Sequence, residues 1–173
     1  MILWVDESGF SLLPGAVRTH APRGQPPILR VPLSCNHLSV ISGITPDGEL
    51  FLLAQERALT GAAVARCLRH LLEILPEPLP VIWDGGPIHR GQPVKDLLAE
   101  VGRGRLRVEP LPAYAPDLNP DEAVWSYLKR VELRNACCQT LRHLRAALRE
   151  ATIRLCSKPE VIQGCVREAG YHL

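Results

Sequence analysis

Residues 79–87 read LPVIWDGGP, an apolar run of strand length followed at once by the carboxylate of Asp84 and by two glycines. The preceding residues 60–75 place a threonine N-cap before apolar side chains at helical spacing, which predicts a helix. A second helix is predicted around 94–101, and a further strand over 106–111. Strand, helix and strand in this order indicate parallel strands joined by right-handed helical crossovers.

The N-terminal part of the chain adds three more strands to this sheet. Residues 2–5 form a short apolar run that ends at Asp6, the pattern of a buried strand. Two further strands, 38–44 and 50–54, are joined across a Pro-Asp-Gly turn, which predicts an antiparallel hairpin. The intervening residues 11–36 are rich in proline, glycine and arginine and are predicted to form a long loop or irregular hairpin. With helices after Asn119, over 140–156 and from about 159, the chain is predicted to be α/β, a mixed β-sheet flanked by helices.

Length and composition favour one ordered domain. The chain has 173 residues, of which 46% are apolar and 22% charged, so it can bury a sizeable core and is not expected to be disordered. No apolar run approaches the roughly 18 residues that span a bilayer, and no signal peptide is evident, so we expect a soluble intracellular protein.

The cysteines do not form a zinc ribbon. Six are present without a C-x-x-C pair, and reduced cysteines packed as small core residues are the favoured interpretation. A metal shared by Cys156, Cys165 and His143 is the alternative.

Charge is distributed unevenly along the chain. The net charge is +2, with 11 Lys/Arg against 14 Asp/Glu over residues 1–122, and 9 against 4 over residues 123–173. The basic C-terminal third is suited to phosphate backbones, and it is equally explained by solvated helix faces.

Three carboxylates are candidates for a shared site. Asp6 and Asp84 each follow a predicted strand, and sites in α/β sheets lie beyond the carboxyl ends of strands. Glu122, in the first turn of its helix, is the third candidate. Neighbouring carboxylates raise each other's pKa unless a cation lies between them, and their oxygens suit Mg²⁺ or Mn²⁺.

Each of these acids also has a purely structural interpretation. Asp6 is able to cap a turn at Glu7-Ser8-Gly9, and Asp84 to form an Asx-turn into the two glycines. Glu122 is able to complete a capping box with Asn119. Spacing alone leaves both interpretations open.

Four motifs, in order along the chain, resemble those of one protein family. Residues 114–129, YAPDLNPDEAVWSYLK, resemble the signature Y-S-P-D-L-N-P-I-E-x-x-W-x-x-L-K of the mariner-like DDE-superfamily transposases and their bacterial insertion-sequence relatives. Residues 4–10, WVDESGF, resemble the family's first-aspartate strand, and 83–90, WDGGPIHR, its D-N-x-x-x-H motif. Residues 21–25, APRGQ, resemble the family's W-A-P-K/R-G segment, with His20 where tryptophan is usual.

The resemblance implies a ribonuclease H-like fold and a catalytic trio of metal-binding acids, Asp6, Asp84 and Glu122. It implies DNA strand cleavage and strand transfer by phosphoryl transfer with two Mg²⁺ or Mn²⁺ ions. Asp117 and Asp121, within the same motif, do not match ligand positions. The expected nucleic-acid contacts are His89, Arg90, Asn119, Lys129 and Arg130. For Lys129, which helical geometry places near the face of Glu122, a solvated side chain is the alternative.

The chain departs from the family pattern at two further places. Gly85 stands where asparagine usually follows the second aspartate, and no helix-turn-helix module precedes Asp6. We therefore expect a single catalytic domain over 1–173, with a separate N-terminal DNA-binding product as one candidate partner. DNA, comprising transposon ends and target, and a second copy of the chain are the other expected partners, in a bacterial, cytoplasmic and nucleoid-associated setting. A non-catalytic remnant that binds DNA or a full-length transposase, and a stand-alone ribonuclease H-like nuclease, are the alternatives.

Overall fold

The computed structural model describes residues 1–13, 15–30, 34 and 36–172. Its strands are β1 (Leu3–Ser11), β2 (His37–Ile44), β3 (Leu50–Gln55), β4 (Leu79–Trp83) and β5 (Leu106–Pro110). Its α-helices are α1 (Gly61–Ile74), α2 (Gln92–Val101), α3 (Pro120–Tyr127), α4 (Leu141–Cys156) and α5 (Pro159–Glu168). A π-helical turn, Leu128–Glu132, continues α3, and short 3-10 turns cover Pro87–Arg90 and Pro116–Leu118.

The strands form one mixed sheet in the order β3-β2-β1-β4-β5. The first three strands pair antiparallel, whereas β4 lies parallel to both β1 and β5. Helices α1 and α2 connect the parallel strands, as crossover connections require. The predicted α/β architecture with a mixed sheet is confirmed.

The first strand is longer than the sequence pattern indicates. The prediction that it ends at Asp6 is wrong, because β1 continues to Ser11. Pairing with β2 runs along its length, from Trp4 opposite Ile44 to Ser11 opposite His37. Residues 7–9 are therefore strand residues, and the alternative interpretation, in which Asp6 caps a turn there, is wrong.

Side chains alternate between two cores, one on each face of the sheet. Leu3, Val5 and Ile41 pack with α1 and α2 on one face. On the other face, Trp4 and Val40 pack with α3, α4 and α5. This alternation along β1 sends consecutive side chains to opposite faces, which matters for the acids that follow Val5.

Polar side chains lie at both edge strands of the sheet, β3 and β5. At β3, Arg145 Nη1 of α4 donates to the Ala54 carbonyl at 2.8 Å, and Cys156 Sγ lies 3.8 Å from the Leu50 carbonyl. At β5, the side chains of Arg107 and Glu109 pair at 2.6 Å.

The cysteines divide between core and surface. Cys138 and Cys165 are buried, whereas Cys137 and Cys156 are exposed, and Cys35 lies outside the described residues. Packing as a small core residue thus holds for the two buried ones, and Cys67 is half-buried against the core that includes α1 and α2. Within the described part of the chain, Cys156, Cys165 and His143 do not come together as a metal-sized group. None of the helices described is both long and apolar enough to cross a bilayer.

Candidate active site

The parallel pairing of β1 and β4 places two of the three candidate acids side by side. Val5 pairs with Trp83 at the last parallel position, and Asp6 and Asp84 are the next residues on these neighbouring strands. Asp84 follows the carboxyl end of β4, while Asp6 lies in the part of β1 that only β2 continues to pair.

The third acid reaches the same place from α3. Asp6, Asp84 and Glu122 line one open cleft of about 770 Å³. Arg90 and Asn119 line it too, together with the glycines after Asp84 and the segment that follows β5. The structure thus brings the three predicted ligands and two predicted nucleic-acid contacts to one surface.

Asp6 is buried and accepts a hydrogen bond from the indole of Trp125. It is 7% exposed, and Trp125 Nε1 donates a hydrogen bond of 2.9 Å to its Oδ2. Burial raises the pKa of Asp6 to about 6, and the charges of Glu7 and Glu122 add to the rise, against the hydrogen bond from Trp125. A cation bound beside this buried carboxyl would stabilise its ionised form.

Asp84 is more open and forms the predicted Asx-turn. Its Oδ1 accepts a hydrogen bond of 2.9 Å from the backbone N–H of Gly86, and its side chain is 54% exposed. A Cβ at Gly86 would lie 2.9 Å from that Oδ1, so the close approach depends on glycine. Asp84 therefore forms the Asx-turn and lines the cleft at the same time.

The Glu122 side chain does not cap its own helix. Asn119 caps α3 by accepting from the Asp121 N–H through its Oδ1 at 3.2 Å. In a capping box the Glu122 side chain would bind the Asn119 N–H, but this N–H donates instead to the Pro116 carbonyl at 2.9 Å. The Glu122 side chain is exposed and lines the cleft.

The three acids are spaced more widely than the ligand atoms of a closed metal site. Among the described residues, the group whose ligand atoms all lie within 4.8 Å of one another is Glu7, Asp84 and His89. His89 Nε2 lies 2.8 Å from Glu7 Oε1, and its Nδ1 lies 2.9 Å from Asp84 Oδ1 and 2.8 Å from the Asp84 carbonyl. The imidazole therefore stands between the two carboxylates, and one ion cannot contact both of its nitrogens.

His89 is an internal residue. It was predicted to contact nucleic acid, but it is 5% exposed, and its ring stacks on Trp83 with a centroid distance of 4.2 Å and an interplanar angle of 5°. Burial opposes the charged imidazole, but the hydrogen bond and charge of Glu7, with those of Asp84, raise the pKa of His89 above its usual value. In this arrangement His89 contacts protein on both sides of its ring.

The other predicted contacts lie in different surroundings. A Cβ at Gly85 would lie 2.9 Å from Arg90 Nη2, so the glycine allows the guanidinium to lie against the backbone. Lys129 Nζ donates to Ser8 Oγ at 2.7 Å and lies 5.0 Å from the Phe10 ring centroid.

Lys129 and Arg130 both lie in the π-helical turn, which changes the side-chain directions expected from a continuous α-helix. Burial lowers the pKa of Lys129, and the charges of Glu122 and Asp6 oppose that change. Arg130 is exposed and lines a separate depression with Tyr127 and Glu168. The structure brings Arg130 to another side of α3 than the cleft.

Asp121, beside Glu122, has a different environment from its neighbour. It is fully buried, and Ser42 Oγ donates to its Oδ1 at 2.6 Å, while its Oδ2 has no partner among the described residues. Burial raises the pKa of Asp121 well above its usual value, followed by the charges of Asp6, Glu7 and Glu122. Asp121 is thus a core acid whose burial favours the protonated form, in keeping with a position that is usually apolar in the resembling family.

Glu7, Ser8 and Trp125 are site residues that the sequence analysis did not single out. Glu7 and Ser8 follow Asp6 in β1 and were assigned to a turn, which concealed the alternation that sends them to opposite faces. Trp125 stands in the long motif, three residues after Glu122. Helical spacing was the available signal that its indole points toward the same site.

The chain is similar in sequence to one known family. A sequence model of the family described as DDE superfamily endonuclease matches residues 1–145. No curated protein matches the chain.

Several solved structures share the fold. The crystal structure of the Mos1 strand transfer complex is 21% identical, with a TM-score of 0.65 over 99% of this chain and 55% of that chain. The Mos1 mariner paired-end complex with Mn is 20% identical, with a TM-score of 0.63 over 99% and 56%. The catalytic domain of Mos1 mariner transposase is 18% identical, with a TM-score of 0.57 over 99% and 83%.

The chain thus spans about half the length of the chains in the Mos1 complexes. Its fold is the ribonuclease H-like fold of that catalytic domain, as the motif resemblance implied.

Proposed function

Because the chain belongs to the DDE superfamily endonuclease family, we propose that it catalyses metal-dependent DNA strand cleavage and strand transfer by phosphoryl transfer. The observation that carries the proposal is the meeting of Asp6, Asp84 and Glu122 at one cleft. No lysine or arginine in the described ranges forms an ion pair with any of the three; His89 contacts Asp84 Oδ1 at 2.9 Å, and the charges of Asp6 and Glu122 are available to a bound cation.

The donor set fits a hard divalent cation. Three carboxylates offer oxygen ligands of the kind that Mg²⁺ and Mn²⁺ prefer. The raised pKa of Asp6 is a further fit, because an adjacent cation would favour its ionised form. Mos1 paired-end complexes have been solved with Mn and with Mg, which supports these two ions as the candidates here. Two ions, as in other phosphoryl-transfer sites, remain our working number.

When bound, such ions supply Lewis acidity to the attacking and leaving oxygens of the phosphodiester. The protein supplies orientation. Trp125 fixes one oxygen of Asp6, and the Gly86 N–H fixes one oxygen of Asp84. Glu122 lies in the first turn of α3, close enough for its charge to raise the pKa of Asp6. Arg90 and Asn119, at the cleft wall, are the residues we propose to contact the DNA backbone.

The partners and setting follow from the same proposal. DNA, as transposon ends and target, is the proposed substrate, and paired-end Mos1 complexes support a second copy of the chain as a partner. A separate N-terminal DNA-binding product, a single catalytic domain over 1–173 and a role for Lys129 and Arg130 at DNA stay predictions. So do a bacterial insertion-sequence origin and a nucleoid-associated cytoplasmic location.

A matched pair of aspartate variants tests the proposal. Asp84→Asn removes a proposed ligand, whereas Asp117→Asn changes an exposed acid of the same long motif that does not line the cleft. Mn²⁺ binding is measured by electron paramagnetic resonance, and nicking of a supercoiled plasmid is measured with Mn²⁺ or Mg²⁺. We expect the parent and Asp117→Asn to bind Mn²⁺ and nick, and Asp84→Asn to do neither.

Two results would contradict the proposal. Nicking by Asp84→Asn at the parental rate would remove this acid from the site. A parent that shifts DNA in a gel but never nicks it with either ion would favour the non-catalytic alternative.

A further inference from the structure

We propose that Glu7 and His89 are positioning residues that hold Asp84 in the orientation needed for metal binding; the inference rests on the proposed function. A hydrogen-bonded chain runs from Glu7 Oε1 through both ring nitrogens of His89 to the backbone carbonyl of Asp84, and His89 Nδ1 also lies in ion-pair contact with Asp84 Oδ1 at 2.9 Å. Glu7 is the neighbour of Asp6 in β1, so the chain ties the two acid-bearing strands together on the face opposite Trp125.

Asp84 needs such support because of where it lies. It follows the last residue of β4, and its side chain is 54% exposed, so strand pairing alone does not fix its carboxylate. Its Oδ1 receives the Gly86 N–H and faces His89 Nδ1, both at 2.9 Å. Since both contacts fall on Oδ1, Oδ2 is the oxygen that Asp84 can present to a cation in the cleft.

His89 is itself rigidly placed. Its side chain is 2% exposed, its ring lies parallel to the Trp83 indole, and the 3-10 turn Pro87–Arg90 sets its backbone. Both of its partners offer acceptor oxygens, so both ring nitrogens donate. A ring anchored at one nitrogen by Glu7 directs the other at Asp84, as residues behind metal-binding carboxylates do in general.

The same three residues do not form a metal centre of their own. Their ligand atoms lie within 4.8 Å of one another, but the imidazole occupies the space between the two carboxylates. An ion bound to one ring nitrogen would contact one of the two acids and displace its hydrogen bond.

The experiment compares Mn²⁺ affinity among His89 variants. His89→Phe keeps a ring on Trp83 and removes both hydrogen bonds, while His89→Asn retains an amide donor at the position of Nδ1. We expect His89→Phe to bind Mn²⁺ about 10- to 100-fold more weakly, and His89→Asn to recover part of that loss. Glu7→Gln, which keeps the side-chain shape, is expected to weaken binding by roughly 3- to 10-fold, because a neutral amide oxygen anchors the ring less strongly.

Two controls separate positioning from stability. His70→Phe changes an exposed histidine of α1 that contacts Glu73 at 3.4 Å, another His–Glu contact but remote from the cleft. Leu148→Ala opens the core on the α4 side and lowers the melting temperature without touching the cleft. Both are expected to bind Mn²⁺ as the parent does.

The outcomes separate this inference from the proposed function. Parental Mn²⁺ affinity in a folded His89→Phe overturns the positioning role, and so does parental affinity in Glu7→Gln if His89→Phe does not fold. An equal loss of Mn²⁺ affinity in His89→Phe, His89→Asn and Leu148→Ala also overturns it, because the loss would then follow from lower stability. Unchanged Mn²⁺ binding in Asp84→Asn instead contradicts the proposed function, whatever the His89 variants do.

Discussion

Two carboxylates, Asp6 and Glu132, are both largely withdrawn from solvent and have opposite electrostatic surroundings. Glu132, in the π-helical turn, has a side chain only 7% exposed and is bound by Arg154 at 2.7 Å and Lys158 at 3.3 Å. Burial raises the pKa of Glu132, but the hydrogen bonds from these two cations outweigh it and leave the pKa below its usual value. Asp6 receives an indole N–H and no cation from the described residues, and its pKa rises to about 6.

The difference shows how the fold uses its acids. An acid that holds elements together is neutralised by cations of the same chain, as Glu132 joins the π-helical turn to the end of α4 and the residue before α5. An acid that is buried and left without a cation costs stability, and such a cost is expected where a ligand will supply the missing charge. The following variants test this contrast.

The largest expected effect is on metal binding by Asp6→Asn. Removal of a charged ligand is expected to weaken Mn²⁺ binding by on the order of 100-fold, as titrated by electron paramagnetic resonance. Glu132→Gln, the matched loss of one carboxylate charge, should leave Mn²⁺ affinity at the parental value. Equal weakening in both variants would mean that net charge, rather than the site, determines binding.

The next effect is on stability in the absence of metal. The pKa of Asp6 is about 6 in the folded protein against a usual value of 3.8, so the folded state binds this proton more tightly than the unfolded chain does. The contribution of Asp6 to the free energy of unfolding therefore falls as pH rises from about 4 to about 6. Asp6→Asn avoids this loss and should exceed the parent by about 3 kcal/mol at pH 8, with convergence below pH 4. Urea unfolding at several pH values measures it, and a variant less stable than the parent at pH 8 would contradict the assignment.

Glu132→Gln should have the opposite sign and a smaller size. It leaves two half-exposed cations without their partner, for an expected loss of about 1 kcal/mol at pH 7. Because the pKa of Glu132 is lowered on folding, its contribution exists above pH 4.5, its usual value, and is lost as the carboxylate is protonated at lower pH. Urea titrations of the parent and Glu132→Gln should therefore converge as the pH falls below 4.5. A difference that persists there would point to lost packing instead.

The smallest effect is expected from Trp125→Phe. The phenyl ring keeps the packing on Phe10, now 5.8 Å from the indole, but removes the hydrogen bond to Asp6. Mn²⁺ affinity is expected to fall by roughly 3-fold, because Asp6 then loses one constraint on its orientation. Isothermal titration at fixed pH measures this loss, and unchanged affinity would show that strand pairing alone orients Asp6.

Much of this site could be predicted from short patterns. Apolar runs before Asp6 and Asp84 predicted two strands, because the length and hydrophobicity of each run mark it clearly; β4 ends just before Asp84, whereas β1 continues past Asp6. The placement of Glu122 in a first helical turn also followed from its cap, Asn119. These features depend on local sequence, which determines strand ends and helix starts.

Features that depend on tertiary pairing could not be predicted. Residues 7–9 are polar and include glycine, and they are strand residues only because β2 is long enough to pair with them. The buried position of His89 depends on Glu7, 82 residues earlier in the chain. The π-helical turn that aims Lys129 at Ser8 leaves no periodic signal in five residues.

The two edges of the sheet have a consequence for solubility and assembly. At one edge, side chains of α4 donate hydrogen bonds to backbone carbonyls of β3. At the other edge, β5 is short, bears the charged Arg107 and Glu109, and ends in Pro110. A strand from another molecule that sought to extend the sheet would have to displace those side chains or meet charge and a proline. Edge-to-edge aggregation is thereby disfavoured, and copies of this chain are left to associate through helix and loop surfaces.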